Sequence, residues 1–401
     1  MTQLIEDNKT VISAETGTKL DIDGISKTYE VFKIKLNLLY YNDKNDRIAT
    51  WVSQYKAEHG ELDVTSENYN DIIHDFIMKS NPQAMAKTIK NIRMVNQRVP
   101  GVVLRDGRII DGNRRFTSLR ELSKEDPKFG YFEAVILDHD YTKDNTAIKE
   151  LELRLQHGVD EKVDYDPIER LVGIYNDIVE GPFTVEKYAA CTNEKKSEVQ
   201  KNVEIAKYMV EFLDFIKAPK QFHLARSLDL DGPLHELYGA LSKEKDEDRK
   251  ESIKRAFFAN LLLRPSGDMT RYVRQIKNMM SNPEISNEYL DQQEDKICDL
   301  IDIIDDVVVD GQPLTQKTIS EKIQTHEELK GRFKTSVENS YSKYTAVENK
   351  NEPLKLLADA NTRLDNVDIN ILKMLDENKM EEVKEIIGQI KSKITELEER
   401  L

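Results

Sequence analysis

Tryptophan and cysteine are scarce in this 401-residue chain, which has one Trp and two Cys. Cys191 and Cys298 lie too far apart to suggest a metal-binding pair or a disulfide framework, so we expect a reducing, cytoplasmic location. The seven histidines form no HxxxH or HExxH pattern, and the sequence therefore predicts no zinc site. No run of 18 apolar residues occurs, and the start MTQLIEDNKT is too polar for a secretory signal, so we expect no membrane contact.

Motifs of the common nucleotide enzymes are also missing. Neither GxGxxG nor GxxxxGK[ST] occurs, which argues against a Rossmann site or a P-loop. No Ser/His/Asp or Cys/His arrangement stands out as a catalytic nucleophile with its base. Aromatic residues make up 7% and charged residues 33% of the chain, a balance typical of a helix-rich protein.

The charge of the chain is negative but unevenly placed. A net charge of −15 argues against a protein that coats nucleic acid with its whole surface. Within residues 85–120, however, nine Lys and Arg oppose only Asp106 and Asp111, which gives this segment +7. Within residues 291–310, eight acids oppose one lysine. A single basic segment in an acidic chain indicates a local anion-binding site.

Hydrophobic periodicity divides the chain into a small mixed region and a long helical one. From Tyr29 apolar and polar residues alternate as in a half-buried strand, and Asp106-Gly107 between two apolar runs predicts a hairpin. An Arg-rich helix and another strand follow, and helical spacing then dominates, so we predict an α+β protein. The predicted segments are a flexible tail at 1–28, a small α/β domain at 29–144, a helical domain with a helix-turn-helix at 145–222, a second helical domain at 223–362 and a C-terminal helix at 363–401.

The stretch DGRIIDGNRRF, residues 106–116, combines three features that favour phosphate binding. Gly112 lets the backbone approach a ligand closely, and the helix start that follows offers N–H groups and a positive dipole end. Arg114 and Arg115 add guanidinium groups suited to phosphate. The alternative is that these arginines pair with local carboxylates and hold the helix on the sheet. Because adjacent helical residues project about 100° apart, we expect one of the two to face inward.

Three motifs, in order, resemble the ParB family over residues 29–220. IDGNRRF at 110–116 is similar to the strand–Gly–x–Arg–Arg helix of that family. DYDPIERL at 164–171 resembles the segment that opens its helical domain, and FTVEKYA at 183–189 resembles the first helix of its helix-turn-helix. The resemblance implies a ParB/sulfiredoxin-type N-terminal fold followed by a ParB-type DNA-binding domain.

In the ParB family the Arg-Arg helix binds the triphosphate of a nucleotide, commonly CTP, with Mg²⁺. The resemblance therefore implies that CTP or another nucleoside triphosphate binds this chain. One departure is that Asn113 stands where the family has glutamate, which removes a charge beside the phosphates. The residues expected to contact nucleotide or phosphate are Gly112, Asn113, Arg114, Arg115 and Arg108.

A second departure concerns the metal. The family's Glu-Asn-x-x-Arg metal motif has no clean counterpart before Pro167. Glu152, Asp160 and Glu161 are the remaining candidate ligands in that neighbourhood. The resemblance therefore leaves both the identity of the nucleotide and its hydrolysis open.

A helix-turn-helix is expected from Thr184 onward. Thr184 can cap a first helix, and Thr192-Asn193 can form the turn and cap for a second helix running to Phe215. An ordinary helical hairpin with a solvated polar face is the alternative. The residues expected to contact DNA are Lys195, Lys196, Ser197, Gln200 and Lys201.

The C-terminal segment carries an apolar seam with alternating spacings of four and three residues. This heptad pattern predicts a coiled-coil-like helix and hence a homodimer, although the helix can instead fold back within the monomer. The seam consists of Val383, Ile387, Ile390, Ile394, Leu397 and Leu401.

These features predict a DNA-binding, nucleotide-responsive protein that acts in partition or regulation of a plasmid, phage or mobile element. Two alternatives stay open. The first is a ParB-fold enzyme that performs phosphoryl transfer or DNA cleavage, with weak CTPase activity ranking above nuclease activity. The second is a defence-related interaction protein that does not hydrolyse nucleotide.

Overall fold

The structure, a computed structural model, describes residues 11–22, 25–138, 145–157, 166–308 and 314–401. They form two compact units, the first ending at Val337 and the second running from Glu338 to Leu401. Within the ranges described, no helix has the length and apolar character that crossing a bilayer requires. The predicted α+β class is confirmed, because a five-stranded mixed sheet near the N-terminus precedes a mainly helical region.

The sheet has the strand order β1-β2-β5-β3-β4. Its strands are β1 Val11–Ile22, β2 Ile25–Lys35, β3 Gly101–Leu104, β4 Ile109–Asp111 and β5 Tyr131–Leu137. β3 and β5 run parallel, and the other neighbouring pairs run antiparallel. The predicted hairpin is confirmed: β3 and β4 are joined through Gly107, whose positive φ of 96° suits the tight turn.

The N-terminal segment differs from the sequence expectation. A flexible tail was expected over residues 1–28, whereas β1 and the start of β2 pair as an antiparallel hairpin from Val11 onward. Most β1 side chains whose burial is described are exposed or only partly buried, so the strand carries no apolar alternation and depends on backbone pairing at the sheet edge. Residues 1–10 lie outside the described ranges.

Helices account for most of the remaining chain. Those of the α/β part are α1 Ala49–His59, α2 Tyr69–Ser80, α3 Pro82–Val95, α4 Asn113–Ser123 and α5 Asn145–His157. The following helices are α6 Pro167–Ile174, α7 Val185–Thr192, α8 Lys196–Phe215, α9 Phe222–Ser227, α10 Asp231–Leu241, α11 Glu247–Leu263, α12 Met269–Met279, α13 Pro283–Asp291, α14 Glu294–Val307 and α15 Gln316–Thr318. The last three are α16 Glu327–Asp365, α17 Ile369–Leu372 and α18 Glu377–Arg400.

Several predicted boundaries shift in the structure. The domain boundaries expected at residues 222 and 362 fall at the start of α9 and inside α16. Helices α13 and α14 are separated at Gln292-Gln293. Asp268 caps α12, since its carboxylate accepts the Arg271 N–H at 2.9 Å.

The sheet is covered by helices on both faces. One face packs against α2, α3 and α4 through a core that includes Ile34, Phe116 and Phe132. On the other face, α5 contributes Ile148 and Leu151 to a second core. The N-terminal end of α4 and the start of α5 are thus both fixed against the same sheet.

A buried polar contact centred on Glu169 joins α1, α6 and α9. One Glu169 oxygen accepts the Thr50 N–H at 2.8 Å and the other accepts the Thr50 hydroxyl. Arg226 donates to the Thr50 hydroxyl oxygen at 2.6 Å, and its guanidinium lies 3.8 Å over the Trp51 ring. Burial raises the pKa of Glu169 to about 7, although the Thr50 hydrogen bonds and Arg226 oppose the shift.

Glu169 makes the stability of the fold pH-dependent. Its folded pKa lies above the ordinary value of 4.5, so its contribution is complete below about pH 4.5 and is lost as pH rises through about 7. The difference in unfolding free energy between wild type and Glu169→Gln should therefore fall by roughly 3 kcal/mol over this range. Urea denaturation of both proteins from pH 5 to 8 measures it. Parallel pH curves for the two proteins would contradict the prediction.

Candidate functional site

The turn from β4 into α4 requires glycine at position 112. Gly112 precedes the first helical residue and has the left-handed φ of 101°. A Cβ atom there would lie 2.9 Å from the Phe132 ring and 3.2 Å from Nη2 of Arg115. Both the backbone angle and the lack of space therefore favour a residue without a side chain.

Arg115 fastens the first turn of α4 to the sheet. Its Nη1 donates to the carbonyls of Val99 at 2.9 Å and Pro100 at 3.3 Å, and its Nη2 donates to Asp111 at 2.6 Å. Only 21% of the side chain is exposed. Arg115 thus holds the helix on the sheet, as the alternative interpretation expected.

Asn113 and Arg114 occupy the same first turn. The first backbone hydrogen bond of the helix runs from the Phe116 N–H to the Gly112 carbonyl at 2.9 Å. The N–H groups of residues 113–115 therefore precede the hydrogen bonds within the helix. Oδ1 of Asn113 is buried and has no hydrogen-bond partner among the described residues. Arg114 is half-buried and projects about 100° around the helix from Arg115.

Arg108 belongs to a separate local cluster at the hairpin. It pairs with Asp43 at 3.4 Å and Asp106 at 3.8 Å, and its guanidinium lies 5.0 Å from the centre of the Tyr40 ring. The Tyr40 hydroxyl in turn donates to Asp106. Only 11% of the Arg108 side chain is exposed. The structure therefore gives Arg108 a bridging role between the hairpin and the segment before α1.

Glu152, one of the three candidate metal ligands, is buried and surrounded by donors. Asn42 donates to it at 3.5 Å and Asn45 at 3.3 Å, and Nζ of Lys149 lies 3.9 Å away. In the part of the chain that the structure describes, no group of three or more His, Cys, Asp or Glu has the geometry to hold a metal ion. Asp160 and Glu161 lie outside the described residues.

Lys149 is the centre of a polar cluster that the sequence did not indicate. Its ammonium lies 2.8 Å from Asp46 and 3.6 Å from Asp177, in addition to Glu152. The pKa of Lys149 is raised well above its ordinary value, because the attraction of the three carboxylates outweighs the desolvation that lowers it. The cluster borders a cavity of about 850 Å³. The five predicted phosphate residues do not line this cavity.

α7 and α8 form a helical pair with a tight connection. Thr184 caps α7 as predicted, since its hydroxyl oxygen accepts the Lys187 N–H at 3.2 Å. Asn193, expected to cap the second helix, instead ends α7 in the left-handed conformation, and α8 starts after Lys195. The difference arises because the Thr192 hydroxyl donates back to the Tyr188 carbonyl at 3.0 Å and is buried.

The start of α8 presents most of the predicted DNA-contacting residues to solvent. Lys195, Lys196, Ser197 and Gln200 are exposed, while Lys201 is partly buried near the Tyr238 ring. Lys196 also pairs with Glu186 of α7. Val199, Val203 and Ala206 of the same helix are buried, so α8 has an apolar inner face.

Comparisons with known proteins give one similar solved structure and no family. No family model matches the chain, and no curated protein matches it. A solved structure described as the C2221 form of the Pnob8-like ParB-N domain is similar, with 13% sequence identity and a TM-score of 0.30. The similarity covers 62% of this chain and 97% of that one. A TM-score of this size carries no inference about function.

Loss of the Arg115 guanidinium should destabilise the fold. Arg115→Ala removes charge-assisted hydrogen bonds to two carbonyls and to Asp111, which should lower the unfolding free energy by about 1.5–3 kcal/mol. Lys128→Ala, which removes an exposed cation paired with Asp126 in the same part of the fold, is the control and should cost less than about 1 kcal/mol. Urea denaturation of both variants measures the difference. A loss for Arg115→Ala no larger than that of the control would show that Arg115 does not hold α4 in place.

Proposed function

We propose that this chain is a ParB-like DNA-binding protein in which the DNA contact is made by α7 and α8. The proposal rests on the arrangement of this helical pair. The short capped helix α7 is followed by a tight turn and by the longer helix α8, whose first residues are polar and exposed. Lysine side chains suit backbone phosphates, and serine and glutamine suit both phosphates and base edges. Because the chain has a net charge of −15 and DNA is negatively charged, we expect DNA to contact this local surface and not the protein as a whole.

We propose further that a nucleoside triphosphate, with CTP as the leading candidate, binds at the start of α4. Gly112 is required by the backbone there, and the first-turn amides point along the helix axis toward any anion at that end. Arg114 lies in this first turn and carries a guanidinium group suited to phosphate, so it is the side chain proposed to meet the phosphates. Asn113 adds a polar group in the same turn.

The proposed nucleotide has a regulatory role. Glu152 is buried among amide donors and Lys149, so Mg²⁺ would be held chiefly by the triphosphate itself. We propose that hydrolysis is slow or does not occur, because Glu152, the candidate metal ligand among the described residues, is engaged by protein donors. A role in partition or in regulation of a plasmid, phage or mobile element is compatible with a DNA-binding protein of this kind.

The nucleotide proposal predicts that one substitution in α4 weakens nucleotide binding. Arg114→Ala should weaken binding of CTP with Mg²⁺ by about tenfold to a hundredfold, because one charge-assisted contact is removed. Lys128→Ala, an exposed cation paired with Asp126 in the same part of the fold, is the matched control and should change the affinity less than about twofold. Isothermal titration measures both. Wild-type affinity in Arg114→Ala would remove this residue from the site.

The DNA proposal predicts the effect of reversing charge on α8. Lys195→Glu with Lys196→Glu should abolish the gel shift of a DNA that wild type binds, since two phosphate contacts become repulsive. Lys243→Glu with Lys245→Glu makes the same charge change at exposed positions in another loop and should leave the shift in place. If both double variants behave alike, the loss reflects net charge and α8 is not the DNA contact.

We propose a homodimer through the C-terminal unit. From Tyr341 to Leu401, a stretch described without gaps, no residue is buried, and seam residues such as Ile387 and Ile394 are 43% and 47% exposed. The seam covers less than three heptads, which is marginal for a coiled coil on its own. A second copy of the chain would cover these apolar side chains.

The dimer proposal predicts that charged residues dissociate the dimer when they are placed in the seam, and not when they are placed elsewhere on the same helix. Ile387→Asp with Ile394→Asp should convert a dimer at micromolar concentration into a monomer. Gln389→Asp with Thr395→Asp adds the same charge outside the seam and should leave the dimer intact. Light scattering distinguishes the two results. A monomeric wild type would contradict the proposal directly.

A further inference from the structure

The outward face of α3 combines positive charge with exposed apolar side chains. We call this surface the α3 stripe, and it consists of Lys87, Lys90, Met94 and Arg98. All four residues are exposed, and the spacings of three and four residues place the first three on one side of the helix. Met94 is 73% exposed, and Val95 and Val99, close to it in the sequence, are 39% and 59% exposed. Neighbouring exposed apolar residues of this kind mark protein interaction sites.

The cations of the α3 stripe are not neutralised by neighbouring carboxylates. No ion pair among the described residues involves Lys87, Lys90 or Arg98. Arg93 of the same helix differs, because it pairs with Glu125 at 2.9 Å. The chain as a whole carries −15, so three unpaired cations along one helix are a local feature and not a general property of the surface. They favour a partner that presents negative charge.

The end of the α3 stripe is held in a fixed position on the sheet. The Gln97 side chain donates to the Glu133 carbonyl at 2.6 Å and accepts the Glu133 N–H at 2.9 Å, which ties residue 97 to β5. Arg98 follows directly. The phosphates of a nucleic acid would use the cations but leave Met94 uncovered, whereas a protein surface can cover both. We therefore expect a negatively charged protein partner.

A second stripe, of opposite charge, lies on α14. We call it the α14 stripe, and it consists of Asp295, Cys298, Asp302 and Asp306. All four residues are exposed, and their spacings of three, four and four residues place them on one side of the helix. In the described part of the chain its three carboxylates form no ion pair, whereas the adjacent Asp299 pairs with Arg332 at 2.6 Å. The chain thus carries a positive and a negative stripe that are both open to solvent.

The two stripes match when their helices run antiparallel. Lys87 and Met94 lie seven residues apart on α3, and Cys298 and Asp306 lie eight residues apart on α14. At a rise of 1.5 Å per residue these are lengths of about 10 and 12 Å. The facing pairs are then Lys87 with Asp306, Lys90 with Asp302, Met94 with Cys298 and Arg98 with Asp295. Three pairs have opposite charges, and in the fourth Met94 meets cysteine, which packs as a small apolar residue.

We propose that the α3 stripe of one copy of this chain binds the α14 stripe of a second copy. Both stripes are exposed in the single chain, so neither covers the other there. The occupant is a second copy because this chain itself carries the complementary charge pattern. Like charges four residues apart on a helix, such as Asp302 and Asp306, destabilise it, and the opposite stripe relieves their repulsion. A contact between two short helices buries little surface, so it is weak and sensitive to salt.

The proposed contact joins two unlike surfaces. It closes when two copies exchange it reciprocally, and otherwise it continues into a ring or a filament. It involves neither the seam of α18 nor the residues assigned to DNA and nucleotide, so its failure would leave those proposals unaffected. At the micromolar concentration of the seam test, so weak a contact should add little association.

Disulfide trapping in the full chain tests the contact, because it accumulates even a weak association. Cys191 is buried and Cys298 is exposed, so a cysteine introduced at position 94 can be linked to Cys298 of another copy. Met94→Cys with Cys298→Ser is mixed with wild type and oxidised with copper phenanthroline, which converts two neighbouring thiols into a disulfide. Since the first protein lacks the Cys298 thiol, a 94–298 link found by mass spectrometry joins two copies.

The control for position is Lys128→Cys with Cys298→Ser, whose new thiol replaces an exposed cation outside both stripes. The 94–298 link should form about tenfold faster than the 128–298 link, because the contact holds the first pair of thiols together. Raising the salt from about 50 mM to about 500 mM should remove most of this difference, since exposed charges are screened. Equal rates for the two links at low salt would overturn the proposal.

Charge reversal on both stripes gives a second readout. Lys87→Glu with Lys90→Glu, added to the Met94→Cys protein, should reduce the link about tenfold. A partner copy that carries Asp302→Lys with Asp306→Lys should restore it, because the facing charges are opposite again. Both proteins keep a net negative charge, since each changes the −15 of the chain by four, so attraction between whole chains cannot cause the restoration.

Lys243→Glu with Lys245→Glu makes the same charge change outside both stripes and should leave the link unchanged. The proposal is overturned if reversal on α3 does not reduce the link, or if reversal on α14 does not restore it. It is also overturned if the link stays at the control level while Lys87→Glu with Lys90→Glu abolishes DNA binding, since the α3 stripe then contacts nucleic acid.

Discussion

One buried ammonium, that of Lys149, links the α/β part of the chain to the helices that follow. It draws together Asp46 from the segment before α1 and Asp177 from the π-helical segment Tyr175–Val179 that continues α6, while Lys149 itself lies on α5. Charges removed from water in this way are costly unless each finds a partner. This contact therefore fixes α5, which packs on the sheet through Ile148 and Leu151, relative to the segment before α1 and the end of α6.

Two of the arginines predicted to bind phosphate make contacts within the protein. Arg115 is engaged with backbone carbonyls and Asp111, and Arg108 with Asp43 and Asp106. These contacts position the start of α4 and the hairpin before it. The phosphate site that we propose there consists of a glycine turn, the first-turn amides and Arg114. It suits an anion that is recognised mainly by backbone geometry.

Local features of the fold were predictable from the sequence. Asp106-Gly107 marked the hairpin, Thr184 marked a helix start, and Gly112 marked the start of the Arg-rich helix. Each of these features is decided by a few consecutive residues, so a short window contains the whole cause.

Features decided by distant residues were not predictable. β1 pairs through its backbone at a sheet edge and carries little hydrophobic pattern, so its sequence resembles a tail. Asp46, Lys149 and Asp177 come from three separate segments, and nothing in their spacing shows that they meet. The contacts of Arg115 depend on Val99 and Pro100, which only the folded chain brings near.

The central claim is that a nucleoside triphosphate at α4 and DNA at α8 bind the same chain. Calorimetric titration of the wild-type protein with CTP, ATP and GTP in Mg²⁺, with and without DNA, tests it most directly. The account predicts saturable binding of at least one nucleotide, with an affinity that changes when DNA is present. If no nucleotide binds at about millimolar concentration under either condition, the claim is contradicted, and the basic segment around α4 serves another partner.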